Sequence, residues 1–413
     1  MEFKISRNNL LQALQRTRTV IQAGRDAMFK SFVFTFPEDN TMTIHASSGS
    51  VWMTETVTLE EPAKEPKSIS VYYGDLLRSV KSLDEQILHF DVGEYQMTVT
   101  HDCGKFRLPL TNMASQFIEY TKPCPDAEAE DGCSFNYEAP GLRSILSQCK
   151  FAMASDDLRP AMNGVYMNFT DQFSDYVSSD GHKLIRLRKA PILSNKCTAF
   201  SLILPSCIVR TLLRILPKTG EVRFEYQKEL IVEKERMGWY NEVEKYMDTE
   251  RKPAARVIID DNITLTFETI QGRYPSYWTV IPDNFHFEMV IGRRELVKSV
   301  DRLSIFQPVS GMVEIDVTDT ACRLKTEDND FSLCGDEKLP CECRMFDGSA
   351  PLSTSLIHIG MKTSSLAATL KTLSSEKVVI RFIDSSRAII IVPQQQSDVE
   401  EITMLLMPML ISD

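Results

Sequence analysis

The sequence predicts an α+β protein of three similar domains, each with two helices and several antiparallel strands. Three observations predict it. A short strand-like run leading into an amphipathic helix occurs six times along the 413 residues. Every second one of these helices is followed by a hairpin pattern, two apolar-alternating runs around turn residues. The pattern breaks near residues 130 and 284, giving domains 1–130, 131–284 and 285–413. Such units far exceed the about 20 to 50 residues of a solenoid repeat.

The first unit opens with Met1-Glu2-Phe3-Lys4-Ile5, an alternating strand. A helix over 7–20 follows, with Leu10, Leu11, Leu14 and Val20 on one face. Its counterparts are 134–137 before 141–150 and 285–289 before 293–302. The second strand and helix of each unit are 67–71 before 74–83, 200–204 before 206–218, and 356–359 before 362–373. Hairpins are expected over 87–100, 222–233 and 378–392, turning at Gly93-Glu94, Gln227-Lys228 and Asp384-Ser385-Ser386. The stretch 121–132 reads as a Pro-containing acidic linker, and Ile281-Pro282-Asp283-Asn284 as a second break. Charged, turn-rich stretches at about 234–255 and 327–351 read as surface insertions in the second and third domains.

Composition is that of a soluble globular chain, 43% hydrophobic and 25% charged. No apolar run reaches the about 18 to 20 residues of a membrane helix, and the start, Met1-Glu2-Phe3-Lys4, lacks the shape of a signal peptide. A cytoplasmic location is therefore expected, with the ten cysteines as free thiols. Cys334, Cys341 and Cys343 cluster without a zinc spacing, so neither a metal nor a cofactor is expected.

The net charge of −11 taken alone argues against nucleic acid. Its distribution reverses that reading. The six helical spans hold sixteen Lys or Arg and three Asp or Glu, so they carry +13 within an acidic chain. Solvated helix faces usually mix both signs. Four of these six carry no acid, which points to a shared anionic target. A basic inner surface within an acidic exterior suits a protein that surrounds a polyanion and contacts phosphate without reading sequence.

Ser178-Ser179-Asp180-Gly181-His182-Lys183-Leu184 lies between two strand-like runs, and Asp180-Gly181 marks a hairpin turn. By itself it is a polar surface hairpin. Three further motifs accompany it. They are Asp157-Leu158-Arg159 with Asn163-Gly164, then Gly272-Arg273-Tyr274-Pro275-Ser276-Tyr277, and the terminal Leu405-Leu406-Met407-Pro408-Met409-Leu410. With these motifs in this order, the chain resembles over its whole length the bacterial sliding clamp family, the β subunit of DNA polymerase III.

The resemblance implies a DNA clamp fold that dimerises head-to-tail into a six-domain ring, closed around double-stranded DNA with helices lining the hole. It implies a non-catalytic processivity factor of DNA replication. Its partners would be a second copy of the chain, the polymerase III catalytic subunit, the clamp loader and other proteins with short clamp-binding motifs. It also implies a peptide pocket. Met162, Ser179, Gly181, His182, Lys183 and Leu184 would line one side, and Pro275 and Val280 a second. Leu405, Met407, Pro408 and Met409 would line a third, with Arg159 at the rim. The apolar members supply an adaptable surface and the charged ones orientation. Pro160-Ala161 stand where the family commonly has two aromatics, and Thr279 where a basic residue is frequent. Lys362 and Ser365 replace an asparagine and a tyrosine of the outer subsite, so the inner subsite is the part that is kept.

For DNA, Arg25 in Ala23-Gly24-Arg25 matches a family loop that touches the duplex. The helix candidates are Arg7, Arg78, Lys81, Arg143 and Lys150, with Arg210, Arg214, Lys298, Arg302 and Lys371. The dimer interface is expected to join Leu76, Val80, Leu83, Phe106 and Leu108 of the first domain to Ile305 and Phe306 of the third.

Two rival readings compete with the clamp. A hydrolase would need Ser179, Asp180 and His182 as a site, but they crowd one short turn and do not form a triad. No G-x-S-x-G, Walker A, G-x-G-x-x-G or H-E-x-x-H motif occurs either. A three-domain protein-binding scaffold that does not encircle DNA would explain the pocket and leave the helix charge unexplained.

Overall fold

The helices are α1 (Arg7–Thr17), α2 (Tyr73–Lys81), α3 (Ala114–Glu119), α4 (Ala139–Cys149), α5 (Ser206–Ile215), α6 (Arg293–Leu303) and α7 (Thr363–Thr372). All except α3 begin on the residue after a strand ends, so each of the six expected strand–helix units forms. The computed structural model describes the chain apart from residues 22–27, 38–39, 64–67, 120–123, 130, 157, 194–198, 236–246, 329, 347–356, 398 and 412–413. The side chains of 119, 229–235 and 247–251 are likewise outside the described set, as are Arg25 and Asp157.

The threefold repeat appears in the core as one aromatic pair made three times. Phe3 faces Phe90 across neighbouring strands with stacked rings 4.7 Å apart. Phe135 faces Phe224 at 5.2 Å, and Phe287 faces Phe382 at 5.2 Å. In each case the first strand of a repeat meets its late hairpin, and such a pair contributes about 0.5–1.5 kcal/mol beyond its burial.

Contacts divide the chain into two compact units. The first comprises 1–143, 194–197 and 210–271, the second 144–193, 198–209 and 272–413. Each contains one twelve-stranded sheet. The division runs through the central repeat because its strands join the sheets of both neighbours. In the first unit Ile263–Glu268 pairs antiparallel with Val51–Thr58. In the second, Lys183–Lys189 pairs antiparallel with Glu400–Leu406 over all seven residues. Arg186 pairs with Glu401 and Lys189 with Glu400 (3.2 Å) along that seam.

Several expectations are corrected. The turn expected at Gln227-Lys228 is a bulge inside one continuous strand, Glu221–Glu235, which pairs with Met247–Ile259. The insertion expected at 327–351 contributes Leu333–Met345, a strand between Ala321–Asp328 and Phe287–Gly292 and so part of the sheet itself. The acidic linker is anchored where it is described. Arg256 donates to Cys124 Sγ (3.3 Å) and Pro125 O (3.2 Å), and Gln227 Oε1 accepts from Asp126 N at 3.0 Å. Helix α5 stops at Ile215 rather than 218, because a proline at 217 disfavours helical geometry in the residue before it.

Among the described residues Cys133 is disulfide-bonded, against the expectation of free thiols throughout, while Cys103, Cys124, Cys149, Cys322, Cys334, Cys341 and Cys343 keep free thiols. Burial pushes the thiols of Cys322 and Cys341 up to about 12 and that of Cys343 to about 11, so they stay protonated. No group of three or more metal-ligating side chains occurs among the described residues. Nor is any described helix long and apolar enough to cross a membrane.

Candidate peptide-binding site and nucleic-acid face

The Asp180 turn is organised by its own carboxylate. Asp180 Oδ1 accepts from the backbone N–H of His182 and of Lys183, both at 2.9 Å, and Oδ2 pairs with Lys183 Nζ. Ser179 Oγ donates to Lys183 O at 3.0 Å and accepts from Gly181 N at 3.2 Å. Burial raises the Asp180 pKa, but these donors outweigh it and hold the carboxyl below its ordinary value. Gly181 has φ +89°, and a Cβ there would lie 2.7 Å from Arg159 Nη1. The positive φ favours glycine, and the mobile end of the Arg159 side chain lies directly over the turn.

The loop carrying Arg159 is fixed by Asn163. Its side-chain amide donates to Asp156 O and accepts from Asp156 N, both at 2.9 Å. Gly164 then enters its strand so close to Leu204 that an added Cβ would sit 2.3 Å from the Leu204 carbonyl oxygen. This accounts for the Asn163-Gly164 pair. Met162, between them and Arg159, is buried.

The chain end returns to the same turn. Leu184 pairs with Leu405 and Lys183 with Leu406. Beyond the ladder, Met407 N donates to His182 O at 2.8 Å, and Met409 N donates to Gly360 O at 2.8 Å. The expected pocket residues 159–184 and 405–409 are thus brought together. Leu184 and Leu405 are buried, whereas Met407 is 42% exposed. Pro275 and Val280 lie on the exposed side of the Gly272 turn, beside exposed Trp278.

The Gly272 turn is held by residues that sequence reasoning missed. Tyr274 stacks on Tyr166 at 4.8 Å. Tyr277 donates its hydroxyl to Asp175 Oδ2 at 2.8 Å, and Arg188 grips the same buried carboxylate at 2.8 and 2.9 Å while lying over the Phe173 ring. Burial pushes both tyrosine phenols above their ordinary range, and for Tyr277 the bond to Asp175 adds to it. A signal was available. Once Asp180-Gly181 is the turn, Asp175 falls opposite Arg188 in the register, an opposite-charge cross-strand pair.

The helix charges are partly spent within the chain. Arg16 grips the fully buried Glu55, Arg302 binds Glu337, and Lys371 pairs with Asp301 at 2.7 Å. Arg143, expected to contact DNA, instead donates to the carbonyls of Leu213 (2.8 Å) and Leu216, which commits its guanidinium within the chain. Of the helices without acids, α1 takes one from the neighbouring strand Val51–Thr58 and α7 one from α6. Arg78 is exposed beside Asp75, and Arg210 is exposed. Lys81, Lys150, Arg214 and Lys298 are exposed and form no ion pair to an acid among the described residues.

The interface expectation is corrected in part. Leu76, Val80 and Leu108 are buried in the chain's own core and offer no surface, while Leu83 and Phe106 are half-buried. Ile305 is 72% exposed, and half-buried Phe306 abuts the strand at Gly335.

Three family models match the chain in succession. The one described as DNA polymerase III beta subunit, N-terminal domain, matches residues 1–121. The central-domain model matches 138–276 and the C-terminal-domain model 278–409. The chain is 23% identical over 236 residues to the beta sliding clamp of Rickettsia bellii, covering 56% of each chain. It is 21% identical over 395 residues to that of Treponema pallidum, covering 94% of this chain and 95% of the relative. The DnaN sliding clamp of Pseudomonas aeruginosa, solved bound to griselimycin, superposes with a TM-score of 0.80 at 21% identity, with both chains covered completely. At that identity the superposition speaks to the fold.

Proposed function

We propose that this chain, which belongs to the DNA polymerase III beta-subunit family, closes head-to-tail with a second copy around duplex DNA in the cytoplasm and carries other replication proteins. It is a sliding clamp, a processivity factor with no catalysis of its own. The observation that carries this is the match to all three domain models, in order, along the chain. The helix charge favours the clamp over a scaffold that never meets DNA.

Two strand edges support closure by a second copy. Residues 104–109 pair with Gln96–His101 on one side, and among the described residues only Leu110 and Thr111 reach Ser68–Tyr72 on the other. Residues 333–340 pair with Ala321–Asp328, and no strand among the described residues takes their opposite edge. Such half-open edges are templates for pairing with another chain. Lys105 and Arg107 are exposed on the first edge, Asp336 and Glu337 lie on the second, and exposed Ile305, Phe331 and Leu333 flank it. Phe106, Ile305 and Phe306 remain the interface residues of this reading.

The peptide pocket is proposed between the Asp180 turn, the Gly272 turn and the chain end. Arg159, His182 and Lys183 would orient a partner's backbone, and Met162, Leu184, Val280, Leu405, Met407 and Met409 would receive its apolar anchors. Each buried anchor contributes about 1.5–3 kcal/mol, and ordering a flexible tail takes back about 2–5 kcal/mol. The balance is weak, exchangeable binding, as a platform for the polymerase catalytic subunit, the clamp loader and other partners requires. For DNA, the exposed Lys81, Lys150, Arg214 and Lys298 are the leading candidates, with Arg78 and Arg210 beside them. Light scattering at micromolar concentration tests the closure: the particle should weigh twice the 47.0 kDa chain, and a monomer would contradict it.

A further inference from the structure

One arginine per domain makes the same contact. Arg7, the first residue of α1, donates from Nε to Val80 O at 3.1 Å and from Nη2 to Lys81 O at 3.0 Å, the last two carbonyls of α2. Arg293, the first residue of α6, donates from Nη1 to Leu370 O at 3.2 Å in the last turn of α7 and from Nε to Ser375 O at 2.5 Å just beyond it. Arg143, one turn into α4, reaches Leu213 O and Leu216 O at the end of α5.

The C-terminus of a helix leaves four carbonyls without helical partners and carries a partial charge of about −0.5. Each of the three second helices has that end covered by a guanidinium from the first. The placement is informative. A cation on the first residue of a helix is opposed by that helix's own dipole. Arg7 and Arg293 occupy that position, so their charge serves the neighbouring helix end.

We propose that Arg7, Arg143 and Arg293 are positioning residues for DNA: they lock the two helices of each domain together and cancel the negative end of the second, without touching phosphate. The proposal rests on the clamp reading above. Six uncovered ends in a ring would place about three negative charges among the helices whose lysines attract the backbone. Covered, the same ends cease to repel it.

The test is equilibrium binding of the full chain to a short fluorescent duplex over a range of salt, with thermal unfolding measured alongside. Wild type is compared with Arg293→Gln and Arg293→Lys. Arg293→Gln should bind several-fold more weakly with the slope of log affinity against log salt unchanged. Arg293→Lys, which keeps the charge and loses the fork, should recover most of the affinity while its unfolding temperature stays low. A slope smaller by about 0.9 for each phosphate released would mean that the arginine touches DNA directly and overturn the proposal. Wild-type affinity in folded Arg293→Gln would reduce it to a purely structural role and overturn it as well. Should Arg293→Gln not fold, Arg293→Lys decides: wild-type affinity at a lowered unfolding temperature supports the proposal, and weakened affinity refutes it. A wild type without salt-dependent binding to the duplex would overturn this proposal alone, because the clamp reading is tested separately by retention on circular DNA.

Discussion

The backbone N–H of Met407 donates to the carbonyl of His182 at 2.8 Å, so the chain end continues the Lys183–Lys189 edge past the last ladder pair and lies against the Asp180 turn. Two segments more than 200 residues apart in sequence thereby form one surface. Replacing Met407 with alanine and ending the chain there removes the exposed apolar side chain and the tail together. Calorimetry with a polymerase tail peptide should then show at least a tenfold loss of affinity. Undiminished binding would dispose of the pocket.

The Asp180 turn should be acid-sensitive in a defined direction. Burial raises the carboxyl pKa, but the Lys183 ammonium and the two backbone donors overcome this and lower it below the unfolded value. The stabilisation is therefore complete above the unfolded pKa of about 3.9 and is lost as pH falls through the lower folded value. The stability difference between wild type and Asp180→Asn, measured by urea unfolding, should be flat from neutral pH to about pH 5 and shrink below about pH 4. A difference that grows on acidification would contradict this assignment.

Tyr277→Phe tests the anchor beneath the Gly272 turn. It removes the hydroxyl donor 2.8 Å from buried Asp175 and leaves the carboxylate to Arg188 alone. A loss of about 1–3 kcal/mol is expected, read as a lower urea midpoint at constant m-value. Peptide affinity should fall with it, because the turn that holds Pro275 and Val280 loosens. A variant as stable as wild type would show that the hydroxyl contributes little.

Among the helix charges, exposure ranks the residues proposed to meet DNA. Lys298 is exposed without an acid partner among the described residues, whereas Arg302, one helical turn on, is held by Glu337. Lys298→Ala should lower the salt slope of DNA binding by about 0.9 for each phosphate that the lysine neutralises. Arg302→Ala should lower it less. The reverse order would mean that the Glu337 pair opens on DNA.

The proposed dimer edges can be probed through side chains rather than backbone. Phe106→Glu with Ile305→Glu places charge beside both half-open edges. Sedimentation should give the mass of one chain at concentrations where wild type is a dimer. Persistence of the dimer would move the interface elsewhere.

Much of this architecture was legible in the sequence because it repeats. Each first strand and helix bury apolar residues at regular spacing, and three copies of one pattern reinforce one another. The short helix α3 left no periodicity to read. Its six residues are placed by Phe117 packing on Val33 and Trp52, a tertiary event. The strand Leu333–Met345 reads as an insertion because it alternates exposed and less exposed residues along its first half, which resembles a loop in composition. Leu76 and Val80 read as interface for the same reason that they are core: an apolar helix stripe does not reveal what covers it. The pocket motifs located the turns correctly, while the supports beneath them, Asp175, Arg188 and Tyr166, depend on strand register.

Retention on DNA tests the central claim most directly. The chain, assembled on a nicked circular duplex, should remain bound through gel filtration at moderate salt and leave when the circle is cut to give free ends. Loss from the intact circle at the rate seen on linear DNA would contradict a closed ring, and retention on the linear form would contradict sliding.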